Sequence, residues 1–270
     1  MKICFLVLTH KPIEYILKLA SDNPEFKFYV HYDQKSDINK ISVRAINNVS
    51  FIEQREDVKW AGFSMVRATL NLIKFALADS KENEFFHLLS GDDVLLTKQL
   101  SWNDHTIFME CIDSLRHNYR TRFFAPHADT KYTRSFLGKV LTQIYKLIDK
   151  TFPQKGKAYK FGSQWFSIRR GELELMMNSI TQEDIDFFRK KLCPDEHFFQ
   201  YLIMKNNLLS KISSEGNKRN IVFDQNFQRG SSPIFLSKTQ LVDAKKSGFW
   251  FSRKVKPEVM DEFYQYLKDE

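Results

Sequence analysis

The chain has 270 residues, 43% of them hydrophobic and 14% aromatic, so it is long enough to bury a substantial core. Its 25 phenylalanines beside nine glycines and seven prolines exclude a collagen-like, low-complexity or disordered chain. The formal net charge of +8 predicts attraction to anions such as nucleotide diphosphates, nucleic acids or anionic membranes, without choosing among them.

The first half of the chain alternates between strand-like and helix-like patterns. Continuous apolar segments predict buried strands at residues 3–9, 26–31, 49–53 and 85–90. Apolar-periodic helices are predicted after the first strand and before the fourth, the latter with Ser64 as its N-cap. This alternation predicts a mostly parallel sheet with helices on both faces.

The second half of the chain has a less regular pattern. Helices are predicted near residues 101–115, 135–152 and 237–247, and strands at residues 164–168, 220–224 and 249–252. Pro194 occupies a favoured first-turn position of a further helix. Because no linker rich in Gly, Ser or Pro interrupts the chain, we expect a single domain over residues 1–270.

Acidic residues follow two of the predicted parallel strands. Asp33 comes after the second strand, and Asp92 and Asp93 come directly after the fourth. Ligands of open parallel sheets collect at the carboxyl ends of the strands, so a binding site is expected at this edge. An Asx turn that closes the strand is the alternative for Asp33.

Motifs that identify several common enzyme classes are absent from the sequence. There is no Walker phosphate loop, no dinucleotide fingerprint, no His-Glu-x-x-His and no Gly-x-Ser-x-Gly. Three widely separated cysteines predict neither a disulfide framework nor a zinc site and favour a reducing compartment. The apolar run at residues 3–8 is too short for a signal peptide or a membrane span, so we expect a soluble, cytoplasmic protein.

Short segments in a fixed order resemble one protein family. They are LTHKP (8–12), YVHYDQKS (29–36), VKWAGFSMVRATL (58–70) leading to LLSGDD (88–93), GSQWFSI (162–168), PDEHFFQ (194–200) and FSRKV (251–255). Their order and spacing resemble the core 2 and I-branching N-acetylglucosaminyltransferase family, which also contains peptide O-xylosyltransferases and plant glucuronosyltransferase-like members. The chain looks like a bacterial-type soluble member without the membrane anchor and stem of animal members.

The resemblance implies a GT-A-like α/β fold and an inverting, metal-independent glycosyltransferase that needs no cofactor. The first-choice donor is UDP-N-acetylglucosamine, with xylose or glucuronic acid as alternative sugars, and the acceptor is a saccharide hydroxyl. We expect residues 1–96 mainly to bind the nucleotide sugar. Residues 97–270 would mainly bind the acceptor and supply the catalytic base and the diphosphate-binding tail. A role in bacterial surface polysaccharide or glycan synthesis would follow.

The resemblance also implies roles for single residues. Glu196 is the expected catalytic base, and a position in the first turn of a helix would favour its ionised form. Asp33 would read the uracil or ribose, and Arg253 and Lys254 would replace a metal at the diphosphate. The expected sugar-binding residues are Asp92, Asp93, Gln164, Trp165 and Asp195. Val255 stands where the family's last motif usually has a second aromatic residue.

These assignments have alternatives. In the structural alternatives, Asp195 and Glu196 are ordinary acids in the first turn of a helix, and Arg253 and Lys254 belong to a solvated basic edge. Trp165 would then pack in the core. A metal-dependent transferase that binds magnesium or manganese through Asp92 and Asp93 is the alternative enzyme. A basic nucleic-acid-binding module is the alternative from another class, but the sequence has no RNA- or DNA-binding signature, so no nucleic-acid partner is expected.

The predicted helix at residues 135–152 is amphipathic and basic. Phe136, Val140, Ile144 and Ile148 share one face, and lysines lie elsewhere around the helix. A core helix with one solvated face is the default interpretation. The alternative is a membrane-surface helix, which would suit a lipid-linked saccharide acceptor and a peripheral location at the inner face of the cell membrane.

Overall fold

The structure, a computed structural model, describes residues 1–37, 46–102, 106–153, 159–224 and 232–269. Its strands are β1 (Lys2–Thr9), β2 (Lys27–Tyr32), β3 (Val49–Phe51), β4 (Asn83–Ser90), β5 (Val94–Leu95), β6 (Ile107–Phe108), β7 (Ser167–Arg169), β8 (Arg219–Ile221) and β9 (Phe251–Arg253). Its α-helices are α1 (Glu14–Asp22), α2 (Phe63–Asp79), α3 (Tyr119–Arg122), α4 (Phe136–Thr151), α5 (Arg170–Asn178), α6 (Gln182–Phe188), α7 (Phe198–Lys205), α8 (Lys238–Lys246) and α9 (Pro257–Asp269).

A central sheet has the strand order β3-β2-β1-β4-β7-β6. The first four of these strands run parallel, whereas β7 is antiparallel to both of its neighbours. Along β1, Phe5 and Val7 enter one core, and Cys4 and Leu6 enter the other. Because helices cover both faces, consecutive positions of β1 are buried, which explains its unbroken apolar sequence. The predicted mostly parallel α/β sheet is confirmed.

The two faces of the sheet have separate hydrophobic cores. On one face, α1, α8, α9 and a small sheet of order β5-β9-β8 pack against the central strands. On the other face, α2, α5 and α7 pack against the central strands. The small sheet was not predicted, because its three short strands lie far apart in the sequence and only long-range pairing joins them.

Arg219 ties the small sheet to the central one. Its buried guanidinium donates hydrogen bonds to the carbonyl oxygens of Leu88 (3.2 Å) and Phe166 (2.6 Å) and to the Ser167 hydroxyl (3.1 Å). Burial lowers the pKa of Arg219 to about 9, so the side chain is still charged at neutral pH. A neutral replacement would leave these buried acceptors with fewer donors, which costs about 1–3 kcal/mol for each group left unpaired.

The helix predicted at residues 101–115 is wrong. Residues 103–105 lie outside the described ranges, and the following residues form β6, which pairs with β7 through Ile107 and Ile168. Ile107 and Phe108 are almost completely buried at this edge of the sheet. Tertiary pairing and burial therefore override the local helical pattern.

The N-cap predicted at Ser64 is also wrong. Helix α2 begins at Phe63, and Gly62 is its N-cap residue. The Ser64 hydroxyl accepts the Lys59 amide at 2.8 Å and donates to Asp129, whose other carboxylate oxygen accepts the Ser64 amide at 3.1 Å. The helix start is thus capped by a carboxylate from a distant part of the chain, which sequence spacing does not reveal.

Among the helices that the structure describes, none is long and apolar enough to cross a membrane.

Candidate active site

A cleft of about 990 Å³ opens where β1, β2 and β4 end. Gly91, directly after β4, lies so close to the Thr9 side chain that an added Cβ would overlap it. Eight of the nine residues predicted for the site line this cleft: Asp33, Asp92, Gln164, Trp165, Asp195, Glu196, Arg253 and Lys254. The ninth, Asp93, is 2% exposed and is held beside Ser90 and Arg253. The fold therefore brings together residues from five separate segments of the sequence.

Asp33 closes β2 and also borders the cleft. Its amide donates to the Thr9 carbonyl at 2.8 Å, and its Oδ1 accepts the Lys35 amide at 2.9 Å, which is an Asx turn. The Lys35 ammonium lies 3.3 Å from Asp33 Oδ2. The Arg55 guanidinium binds the carbonyls of Tyr32 (2.8 Å) and Asp33 (2.7 Å) and so holds this turn in place. The Asx turn and the position at the cleft are thus compatible.

Asp92 and Asp93 each have a cationic partner. Asp92 Oδ1 lies 2.7 Å from the Lys11 ammonium, and Asp93 Oδ1 lies 3.2 Å from Arg253 Nε. The amide and hydroxyl of Ser90 also donate to Asp93, each at 2.8 Å. Burial raises the pKa of Asp93, against the opposing charge of Arg253. Among the described residues, no group of three His, Cys, Asp or Glu side chains is arranged to hold a metal ion.

Arg253 and Lys254 enter the cleft from the small sheet. The pairing of β9 with β5 brings Arg253 to Asp93, and the Arg253 guanidinium lies over the Trp165 ring, 4.2 Å from its centroid. Burial, and next the charge of Arg253, lower the pKa of Lys254. Val255 is fully buried, and its amide donates to the Asp92 carbonyl at 3.0 Å. The valine therefore fills a core position and leaves both cations in place.

Glu196 lies in a 3₁₀ turn, Pro194–Glu196, and not in the first turn of an α-helix. Helix α7 begins only at Phe198, so the predicted helix start at Pro194 was wrong. One physical reason is that the Glu196 carbonyl accepts the Gly162 amide at 3.1 Å from outside the helix. The positive charge beside the Glu196 carboxylate comes instead from Arg120, whose guanidinium forms an ion pair with it.

Asp195 and Gln164 present buried oxygen atoms without hydrogen-bond partners in the described ranges. These atoms are Asp195 Oδ1 and Gln164 Oε1. Burial, and next the charge of Glu196, raise the pKa of Asp195 to about 7. Most buried polar atoms in proteins have a partner, so these two mark a part of the cleft where a bound molecule could supply hydrogen bonds.

Sequence reasoning missed three residues of the site. Lys11 lies within LTHKP, one of the segments that carry the resemblance, so this segment could have revealed it. Arg120 and Glu110 line the cleft, and Glu110 Oε2 accepts the Ser163 amide at 2.9 Å. Both come from a stretch without a regular pattern, and no spacing in the sequence relates Arg120 to Glu196.

This mostly parallel sheet, covered by helices on both faces and with a charged cleft at its strand ends, is consistent with a GT-A-like fold. The chain belongs to the core-2/I-branching enzyme family, because the family model described as Core-2/I-Branching enzyme matches residues 3–263. The protein is therefore a glycosyltransferase, which uses a nucleotide-sugar donor and a saccharide acceptor. The resemblance found in the sequence is confirmed. A comparison with curated proteins finds no match.

Proposed function

We propose that the enzyme transfers a sugar from a UDP-sugar to a saccharide hydroxyl in one inverting displacement, without a metal ion. N-acetylglucosamine is the first-choice sugar. The observation that carries this proposal is that one cleft contains both a carboxylate, Glu196, and an adjacent pair of cations, Arg253 and Lys254. These groups supply the two kinds of catalysis that such a displacement needs: proton removal from the acceptor and stabilisation of the departing diphosphate.

Glu196 is the proposed general base. Its Oε2 is bound by Arg120, which orients the carboxylate and leaves Oε1 to accept the proton of the attacking hydroxyl. As this proton moves to Oε1, the acceptor oxygen forms its bond to the anomeric carbon from the face opposite the diphosphate. The bond between that carbon and the diphosphate oxygen breaks at the same time, and UDP leaves with the electron pair. Inversion at the anomeric carbon is the stereochemical result of a single attack from that face.

Arg253 and Lys254 are the proposed stabilisers of the leaving group. Arg253 is held by the Asp93 carboxylate and by the Trp165 ring, so its position is set before the substrate binds. Fixed cations stabilise developing negative charge without reorganisation at the moment of reaction. Trp165 is itself 7% exposed, so we propose that it acts mainly by positioning Arg253 and offers little open surface to a sugar ring.

Residues 1–96 are proposed mainly to bind the donor, with Asp33 as the residue that reads the uracil or ribose. A carboxylate only accepts hydrogen bonds, which suits the imide N–H of uracil or the ribose hydroxyls. Asp92, Gln164 and Asp195 are proposed to bind the donor or acceptor sugar, and the unpaired oxygens of Gln164 and Asp195 support this assignment. Asp93, which is buried under Arg253, contributes by holding that cation.

The acceptor is proposed to be a growing saccharide of surface polysaccharide or glycan synthesis, including a lipid-linked one. A peripheral location at the inner face of the cell membrane would bring the enzyme to such an acceptor. The exposed apolar surface of α4 supports this part of the proposal.

The proposal is tested by melting the enzyme with UDP-, GDP-, CMP- and dTDP-sugars, in EDTA and again with manganese. A ligand that binds the folded state raises the melting temperature, so we expect a selective rise with a UDP-sugar that survives EDTA. Release of UDP on addition of saccharide acceptors then reports transfer. If EDTA abolishes transfer and manganese restores it, the metal-dependent alternative is correct and Asp92 and Asp93 become the ligands. If no UDP-sugar stabilises the protein, the donor assignment is wrong.

A further inference from the structure

Helix α4 carries a stripe of large apolar side chains on the surface of the protein. Phe136 is 84% exposed, Leu137 66% and Leu147 65%, and Phe152, just after the helix, is 68% exposed. The stripe is completed by Val140, Ile144 and Ile148. These residues recur three or four positions apart, so they form one continuous surface along the helix. Contiguous apolar surfaces of this kind mark sites of interaction with a protein or a membrane.

The opposite side of α4 attaches the helix to the protein. Gly138 is the one residue of the helix that is buried, and an added Cβ would overlap the Tyr132 carbonyl. Tyr145 stacks on Phe123, and Asp149 forms an ion pair with Arg122 at 2.9 Å. The helix is therefore held in one orientation, which presents the apolar stripe to the outside. The default interpretation of a core helix with one solvated face does not describe this packing.

The region around the stripe is strongly basic. Residues 131–153 contain five basic residues against one acidic residue, a formal charge of +4. The acidic residue is Asp149, which already pairs with Arg122. Lys139, Lys146 and Lys150 are exposed and lie between the apolar stripe and the packed side. An apolar stripe flanked by lysines is the arrangement of helices that lie in the interface of an anionic membrane.

We propose that α4 docks the enzyme on a membrane surface that contains anionic lipid. The apolar stripe enters the boundary between headgroups and acyl chains, and the lysines remain at the level of the lipid phosphates. Charge complementarity decides between this partner and a second copy of the chain. Two copies joined through this face would bring their lysines together, whereas an anionic membrane neutralises them.

Helix α4, when docked in this way, would lie beside the end of the cleft that contains Glu196. Arg134, just before α4, lies over the ring of Trp60 at 4.3 Å, and Trp60 lines the cleft. Helix α3, which binds α4 through Arg122, also carries Arg120, the partner of Glu196. Membrane docking would thus place the base next to an acceptor anchored in the same membrane. This last step rests on the proposed function, whereas docking itself does not.

The test is flotation of the purified enzyme with vesicles of phosphatidylcholine alone or mixed with phosphatidylglycerol, at low and high salt. We expect binding to the mixed vesicles that weakens as salt screens the charges. The double variant Ile144→Glu with Leu147→Glu should bind at least about tenfold more weakly, because charged groups replace the centre of the stripe. Leu175→Glu, which changes an exposed leucine on α5, is the matched control and should bind like the wild type.

The lysines provide a second set of variants. Lys139→Gln and Lys150→Gln should each weaken binding about fivefold, since a lysine near an anionic surface contributes about 1 kcal/mol. Their binding should also depend less on salt. All variants should melt like the wild type and keep transfer activity towards a soluble acceptor. A wrong donor assignment would change transfer activity and leave vesicle binding intact, whereas a wrong docking surface would do the reverse.

Hydrogen exchange gives a readout that needs no variant. Amides of α4 should exchange more slowly when mixed vesicles are present, and amides of α5 should not change. Absence of binding to mixed vesicles at low salt would overturn the proposal. The proposal would also be overturned if light scattering showed a dimer without lipid and if Ile144→Glu with Leu147→Glu disrupted that dimer. A second copy of the chain would then cover the stripe.

Discussion

The cleft has two ends, a proposed donor end at Asp33, Asp92 and Asp93 and a base end at Gln164, Asp195 and Glu196. Their polar groups differ in whether they have a partner within the protein. At the proposed donor end, Asp33, Asp92 and Asp93 each have a cation of the same chain within 3.3 Å. At the base end, Asp195 Oδ1 and Gln164 Oε1 are buried and have no hydrogen-bond partner in the part of the chain that the structure describes. Groups that already have a partner in the free protein need less ordering when a ligand binds. Apart from Glu196, which Arg120 holds, the base end therefore offers hydrogen bonds to a substrate, whereas the carboxylates of the proposed donor end are held in advance.

The largest expected effect concerns Glu196 at the base end. Glu196→Gln removes the proton acceptor but can still accept a hydrogen bond from Arg120, so the fold and UDP-sugar binding should persist. Turnover should fall by about two to four orders of magnitude. Steady-state kinetics and melting temperature measure the two parts of this prediction. The control is Glu110→Gln, which changes another carboxylate of the cleft and should have a smaller effect on turnover. If the two variants lose turnover equally, or if Glu196→Gln keeps near wild-type turnover, Glu196 is not the general base.

The next effect concerns Arg253 and Lys254, the cations proposed to face the donor diphosphate. Lys254→Ala should lower kcat/KM by about tenfold to a hundredfold, since a hydrogen bond to a charged group contributes about 1.5–3 kcal/mol. Arg253→Ala should also lower the melting temperature, because it leaves the buried Asp93 without its cationic partner. Together the two changes should cost several kcal/mol of transition-state stabilisation.

The control for the cation pair is Lys256→Ala, an exposed lysine two residues further along the chain. It should leave kcat/KM unchanged. If Lys254→Ala behaves like Lys256→Ala, the basic residues form a solvated edge, and the alternative interpretation from the sequence is correct.

A smaller effect is expected at Asp33. Asp33→Asn removes the charge but keeps an oxygen that can accept the Lys35 amide, so the Asx turn should survive. UDP affinity measured by calorimetry should fall by about 1–3 kcal/mol. Asp57→Asn is the matched control, because Asp57 also pairs with Lys35, at 2.8 Å, but does not line the cleft. Equal affinity of the two variants would show that Asp33 is only a structural residue.

The last expected effect is on stability and not on activity: a pH dependence of unfolding at Asp195. Its pKa rises on folding from an ordinary value of 3.8 to about 7, so the folded state binds more protons than the unfolded state between these pH values. The free energy of unfolding should therefore fall as pH rises from 4 to 7, by at most about 1.4 kcal/mol per pH unit. Asp195→Asn removes this contribution. Denaturant unfolding across that range should give a shallower loss of stability for the variant. Identical slopes would contradict the raised pKa of this carboxylate.

Sequence patterns predicted that Asp33, Asp92 and Asp93 lie at one edge of the sheet, because the elements that place them are local. β1, β2 and β4 are mostly apolar and buried on both faces. Asp33 follows β2, and Asp92 and Asp93 follow β4 after Gly91. Parallel strands bring their carboxyl ends to one edge, so the position in the chain is enough to place these carboxylates near one another. The resemblance added Glu196, Arg253 and Lys254, which patterns alone left as ordinary surface charges.

The sequence by itself determined which segments form the four parallel strands β1 to β4, which edge of the sheet carries the acidic residues, and to which family the chain belongs. Tertiary structure alone decided the partners of those residues: Arg120 with Glu196, Arg253 with Asp93, and Asp129 at the start of α2. It also left the apolar stripe of α4 uncovered, although the same pattern predicts a core helix by default. The physical reason is that hydrophobic periodicity and strand order are local properties, whereas ion pairs and burial depend on which distant segments meet.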